Sequence, residues 1–416
     1  MDETRNTGAH DEGGALVTID RRRPRALGAL GAALALFGAA CAPAEEAPSP
    51  VATDTSVTTS TMTSTSSRPA STPTPAPEPT PEEIAAQRVP DDERATIASL
   101  MVVGVTDYDD ALAKLRQGVG GIFIPSWADS RLLHEPGRDV AALREAVGRP
   151  FSVSIDFEGG RVQRHSEVLG DHPSPRELAA TMSPQQVEEA AHGLGRTLRA
   201  HGITVDYAPV LDIDAAGLEV VGDRAFSADP WVAGDYGAAF ARGLNNAGVA
   251  PVYKHFPGHG RASGDTHHVA AVTPPWPEVA AHDAAAWAVA LEQRPAAVMV
   301  GHMIVPGLGE HVPASLNPEV YRVLREGDYP GGQPFHGLTY TDDLSGMRAI
   351  TDAMSLPEAV ARALAAGADQ ALWSSGAEIG PAVDAVQRFL ADGRISPEAV
   401  DSAAQRVQLQ LVYAGL

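Results

Sequence analysis

The chain reads as an α/β protein whose body is one (β/α)8 TIM-type barrel, a single catalytic domain preceded by a disordered linker. Three observations predict it. From about residue 90 onward, eight short apolar runs alternate with amphipathic helical stretches. The runs are rich in β-branched or aromatic residues and bounded by Gly or Pro, as the buried strands of a parallel sheet are. Charged residues stand at the trailing end of one run after another, which is where a barrel of this kind gathers its active site.

The 416 residues divide at two shifts of composition, into 1–41, 42–89 and 90–416. In the first segment Arg21, Arg22, Arg23 and Arg25 precede the apolar run "ALGALGAALALFGAA". That run is short for a membrane span and suits the core of a signal peptide. Gly38, Ala39 and Ala40 then lead to Cys41, the only cysteine, so no intramolecular disulfide can form. The layout resembles a bacterial lipoprotein signal, with Gly38 where such signals usually carry Leu. It implies that Cys41 is the lipid-attachment residue and that the protein is exported and tethered to the extracytoplasmic face of the cell membrane. The alternative is an uncleaved N-terminal anchor. The adjacent arginines also resemble a twin-arginine export signal. Residues 42–89 are rich in Pro, Ser, Thr and Ala and lack the large apolar side chains that offset chain entropy. They are expected to form a disordered stalk.

The barrel strands are expected at 99–105, 120–125, 150–156, 203–212, 249–255, 296–302, 336–343 and 368–374. Between them, "SPQQVEEAAHGLGRTLRAHG" and "DPWVAGDYGAAFARGLNNAG" have helical patterning, the second closing on a Gly stop signal. "SLPEAVARALAAG" repeats the form, with Ser355 as N-cap and Pro357 in the first turn. Eight such units fit a closed barrel, whose usual size is about 250 residues plus insertions. A doubly wound open sheet is the rival fold, but "GVTDYDDA" follows the first strand where a phosphate-binding sheet carries glycines. Asp156, Asp212, Lys254–His255, His302 and Asp342 each end a different strand, so a barrel brings them to one mouth.

The formal net charge of −22 argues against nucleic acid and against anionic membrane surfaces as partners. Contact with a membrane is expected only through the lipid anchor, and the protein is expected to be a monomer.

The stretch "KHFPGHGRASGDTHH", Lys254 to His268, holds four of the 14 histidines and one of the two lysines. A metal site, a nucleophile relay and a sugar-binding loop all fit those residues. Taken with "IDFEGGRVQR" (155–164), "GDRAFSADP" (222–230) and "TDDLSGM" (341–347), the stretch resembles glycoside hydrolase family 3. Within that family it is similar to the single-domain β-N-acetylglucosaminidases of the NagZ type. The likeness runs from about residue 90 to 416 and covers neither the signal nor the stalk.

The resemblance implies a retaining exo-β-N-acetylglucosaminidase acting on cell-wall-derived or related glycans, with no cofactor and no metal. Asp342 would be the nucleophile and Asp343 a structural neighbour. His267 would be the acid/base residue, paired with Asp265, while Asp156, Arg224, Lys254 and His255 would hold the hydroxyls of the terminal sugar. Chemistry agrees with these roles. A retaining glycosidase needs a nucleophile and a group that gives and then takes a proton. Imidazole, with an ordinary pKa of about 6.5, does the latter near neutrality, and a carboxylate orients it. After the eighth strand and the final helix "SPEAVDSAAQRVQLQLVYAG" no residues are left for a second domain, so the proton donor is expected from the barrel's own loops.

Three rivals share these residues. His255, His259, Asp265, His267 and His268 would make a metallohydrolase centre, which a strong chelator would abolish. A surface sugar-binding protein without catalysis would keep Asp156, Arg224, Lys254 and His255 and lose Asp342 or His267. A phosphorylase of the same fold would pass the glycosyl group to phosphate. Trp373 either stacks on a sugar or packs in the core, and Glu158, Arg161, Gln163 and Arg164 are expected to knit the loop after the third strand.

Overall fold

The computed structural model describes residues 79–294, 296–375 and 378–416. The signal segment with Cys41, and the linker as far as residue 78, lie outside the described residues.

Eight strands form one sheet: β1 Met101–Gly104, β2 Gly121–Phe123, β3 Ser152–Ile155, β4 Val205–Asp206, β5 Ala250–Phe256, β6 Ala297–Val300, β7 Thr339–Thr341 and β8 Ala371–Trp373. Each is parallel to its neighbours in chain order, and β8 returns to pair with β1. A parallel bridge from Tyr340 to Gln370 joins β7 to β8 and completes the circuit. The (β/α)8 barrel predicted from the alternation is the fold observed.

The strands are shorter than the apolar runs that announced them. The run 203–212 shows the reason, because β4 stops at Asp206 and Pro209, which has no N–H to offer a ladder, follows three residues later. Inside the barrel, Tyr207 packs against Phe123 and Tyr340 at ring distances of 5.8 and 5.4 Å, filling the interior with side chains. Outside it, Trp287 of the helix Ala284–Gln293 packs edge-on to Phe256 of β5, 5.1 Å away.

Both patterned helices form. Pro184–Ala200 starts with a capping box between Ser183 and Gln186, and Pro230–Asn246 is capped by Asp229. They approach so closely that a Cβ on Gly243 would lie 2.4 Å from the Glu188 carbonyl oxygen. Ser355 stands at the N-cap of Leu356–Ala366 as expected but makes no side-chain capping bond there.

One boundary differs from expectation. The composition places the linker's end at residue 89, yet Pro81–Arg88 is an α-helix. Thr80 and Glu83 form a capping box at its start, and Ala85 is buried. The Tyr413 hydroxyl of the C-terminal helix Pro397–Tyr413 donates to Glu82. The Pro-rich composition hides a short helix whose stability comes from its packing and caps, since so few residues form no stable helix alone.

Candidate active site

The C-terminal ends of the strands surround a cavity of about 330 Å³ lined from the loops after β2, β3, β4, β5, β7 and β8. Asp156, Arg224, Lys254, His255, His267 and Asp342 all line it. Asp265 lies just behind His267, bonded to it.

At the end of β5, the pairing with β6 slips between Tyr253 and Phe256. A regular strand would turn one of two adjacent side chains away from the mouth, but the Lys254–His255 peptide is cis and both side chains line the cavity. Lys254 is 2% exposed, and its Nζ stands 2.8 Å from Asp156 and 2.6 Å from Glu158. Arg224 grips Glu158 through two bonds of 2.7 and 2.8 Å and donates a third to the Val220 carbonyl. Two carboxylates and two cations are thus interleaved in one buried set. Burial pushes the Glu158 carboxyl up, but the charges of Arg224 and Lys254 outweigh it and hold the group well below the usual carboxylate range. Burial likewise disfavours the Lys254 ammonium, and Asp156 and Glu158 more than restore it.

His255 gives Nδ1 to Asp212 at 2.6 Å, and its Nε2 lies 4.0 Å from Asp342. Asp212 also accepts the backbone N–H groups of His255 and His259, so one buried carboxylate fixes both the ring and the start of the following loop.

Asp342 follows β7 and is 8% exposed. Burial opposes its ionisation, but His255 and the Asp343 N–H outweigh it and hold the carboxyl at about 2. Asp343 turns away. Its carboxylate accepts from the Ser345 and Ser374 amides and hydroxyls, tying the loops after β7 and β8 together. His302 is fully engaged behind Asp342. Its Nε2 donates to the Asp343 carbonyl at 2.9 Å, so Nδ1 accepts from the Ser315 hydroxyl at 2.7 Å. Burial holds this imidazole in its neutral form.

Opposite these groups, the loop after β5 carries Asp265 and His267. Their side chains meet at 2.6 Å, and the His267 N–H also donates to Asp265. Burial raises the Asp265 carboxyl, and the bonds and charge from His267 bring it below its ordinary value. The loop is pinned by Thr266, whose hydroxyl reaches the Met347 sulfur and whose carbonyl accepts from Ala349. His268 is an exposed neighbour, 3.8 Å from the other oxygen of Asp265.

The five residues of the metal alternative divide between two places: Asp265 is bonded to His267 with His268 beside it, while His255 is committed to Asp212. Among the described residues no three His, Cys, Asp or Glu side chains gather as ligands around one point. Trp373 is fully buried, which leaves Trp127, 60% exposed after β2, as the indole at the rim. Glu158 does more than knit its loop, because it joins Arg224 to Lys254. Its place two residues after Asp156 in "IDFEGG" was the available signal. Arg164 also lines the cavity, 3.9 Å from Asp156.

Fold and mouth together define a barrel glycosidase, with a buried ionised carboxylate across a cavity from a carboxylate–imidazole pair. The chain belongs to glycosyl hydrolase family 3, the model of whose N-terminal domain matches residues 94–409. It is 44% identical over 321 residues to a protein of Mycobacterium tuberculosis named "Beta-hexosaminidase LpqI", covering 76% of this chain and 81% of that one. A "Beta-hexosaminidase" of Stenotrophomonas maltophilia is 36% identical over 255 residues, 59% of this chain and 74% of its own. Among solved structures, a family 3 member from Mycobacterium smegmatis superposes with a TM-score of 0.74 at 45% identity, covering 78% of this chain and 98% of that one. A family 3 β-N-acetylglucosaminidase from a Paenibacillus species gives 0.71 at 30% identity, over 77% and 62% of the two chains.

Proposed function

We propose that this chain is a retaining exo-β-N-acetylglucosaminidase that removes terminal β-linked N-acetylglucosamine from cell-wall-derived or related glycans. The observation that carries the reading is that Asp342, ionised and buried, shares one cavity with the Asp265–His267 pair on a different loop. The hexosaminidase names of its relatives support the substrate.

In the first step an Asp342 oxygen attacks the anomeric carbon while the glycosidic bond breaks and His267 delivers its proton to the departing oxygen. In the second, neutral His267 takes a proton from water as that water attacks the anomeric carbon and frees Asp342. Asp265 keeps the imidazole oriented and balances its positive form. Asp156, Arg224, Lys254 and His255 hold the sugar's hydroxyls, and their interleaved charges are set before substrate arrives, so little reorganisation is needed.

Hydrolysis of aryl N-acetyl-β-glucosaminides with and without phosphate tests this directly. The expected product is free N-acetylglucosamine at a rate indifferent to phosphate; a phosphate-dependent sugar 1-phosphate would establish the phosphorylase instead. Asp342→Ala is expected to abolish turnover, with partial recovery in azide. His267→Ala is expected to slow poor leaving groups by 100-fold or more and activated aryl groups far less, on the order of acid-catalytic contributions. Equal losses on both would remove His267 from the acid role.

Export and lipid anchoring through Cys41 belong to the same reading, resting on the N-terminal sequence. Among the described residues no helix is long and apolar enough to cross a membrane. Cys41→Ala is expected to move the protein from the membrane fraction to the soluble one. A monomer is part of the same reading, and a larger assembly seen by analytical ultracentrifugation would overturn it.

A further inference from the structure

The mechanism leaves one imidazole of the cavity without work. His259 lines the cavity and is 6% exposed, yet neither Nδ1 nor Nε2 has a hydrogen-bond partner. Its backbone is firmly held, since its N–H donates to Asp212 at 2.6 Å and its carbonyl accepts from Ala262. The next residue, Gly260, lies so close to the loop after β4 that a Cβ there would overlap the Ile213 carbonyl oxygen. The ring sits 6.3 Å from that of His255, at 66°. Burial lowers its basicity, so it is a neutral imidazole offering one donor and one acceptor. A buried polar group left unpaired is destabilising, and that loss is recovered only if something entering the cavity supplies the partner.

We propose that His259 is a direct ligand of the terminal sugar, hydrogen-bonding a ring substituent that both donates and accepts, either a hydroxyl or the acetamido group. The inference rests on the reading of this cavity as the site for a terminal N-acetylglucosamine. It gives His259 a substrate-binding role beside Lys254 and His255. An imidazole that is unpaired in the empty protein and paired in the complex contributes to binding and not to folding, and that asymmetry makes it testable.

His259→Leu, which keeps apolar volume, and His259→Asn, which keeps a donor and an acceptor, are compared with the wild type. For His259→Leu the expected melting temperature equals or exceeds that of the wild type, while kcat/KM on an aryl N-acetylglucosaminide falls roughly 10- to 100-fold. His259→Asn is expected to recover part of the loss. A loss on the aryl glucoside as well assigns the bond to a hydroxyl, and a loss on the N-acetyl substrate alone assigns it to the acetamido group. Calorimetric affinities for free N-acetylglucosamine and glucose read the same contact without turnover, so they test His259 even if the wild type hydrolyses nothing. The proposal is overturned if affinity and kcat/KM are unchanged in His259→Leu, if the variant melts several degrees lower, or if neither sugar binds the wild type.

Discussion

Lys254 is one of two lysines in a chain that otherwise uses arginine for positive charge, and its surroundings explain the choice. Its Nζ occupies the gap between Asp156 and Glu158, while Arg224 already covers the far side of Glu158. A compact ammonium on a thin stem fits that gap, whereas a planar guanidinium would meet Arg224. Lys254→Arg is therefore expected to fold but to lose on the order of 100-fold in kcat/KM, comparable to other disturbed positioning groups. Unchanged kinetics would show that the gap tolerates the larger head. Glu158 is the more demanding position, with its side chain fully enclosed between two cations. Glu158→Gln leaves those cations one charge short, and breaking a buried pair typically costs about 3–5 kcal/mol. A fall in urea midpoint together with a raised KM is the expected result.

At the scale of the element, strand β4 carries a buried acid that the chemistry does not use. Asp206 is fully enclosed, accepts from the Phe157 N–H through one oxygen and leaves the other unpaired. Burial raises its carboxyl well above the ordinary value, with Phe157 and Lys254 opposing only in part. The folded state thus binds a proton that the unfolded chain releases above about pH 4. The associated stability is full below that pH and is lost as pH rises toward the folded value. Asp206→Asn, which mimics the protonated acid, is expected to match the wild type near pH 4 and to melt higher at pH 7. Equal melting temperatures at both would show that Asp206 keeps its charge. The helix Pro81–Arg88 makes a local prediction: Thr80→Ala removes its capping box and should cost about 1 kcal/mol. The helix contributes no residue to the cavity, so kcat, read by aryl glycoside kinetics, is expected to be unchanged.

For the molecule as a whole, the cavity's ionised carboxylates set its acid stability. Glu158, Asp212 and Asp342 all have lowered values in the folded state, Asp342 at about 2. Unfolded carboxyls titrate near about 4, so between those values the unfolded chain binds more protons. Stability is full above the unfolded value and drains away as pH falls through the folded one. Urea midpoints should drop from pH 5 toward pH 2, and Asp342→Asn should flatten that slope. A slope equal to the wild type's would show that Asp342 is not ionised when folded.

Local pattern in the chain was sufficient for the barrel, because parallel strands buried on both faces leave continuous apolar runs and helices between them leave amphipathic ones. Strand ends likewise mark Asp156, Lys254, His255 and Asp342 as residues of the mouth, whereas His267 was marked by the likeness of one long motif to a known family. The pairings across the mouth were decided only in three dimensions. Glu158 and Arg224 are 66 positions apart, and Asp212 and His255 are 43. No periodicity links residues so separated, and the charges that settle who pairs with whom depend on which strand ends the closed barrel makes adjacent. The unpaired ring of His259 belongs to the same category, because a missing partner is a property of an enclosed space and has no counterpart in a string of residues.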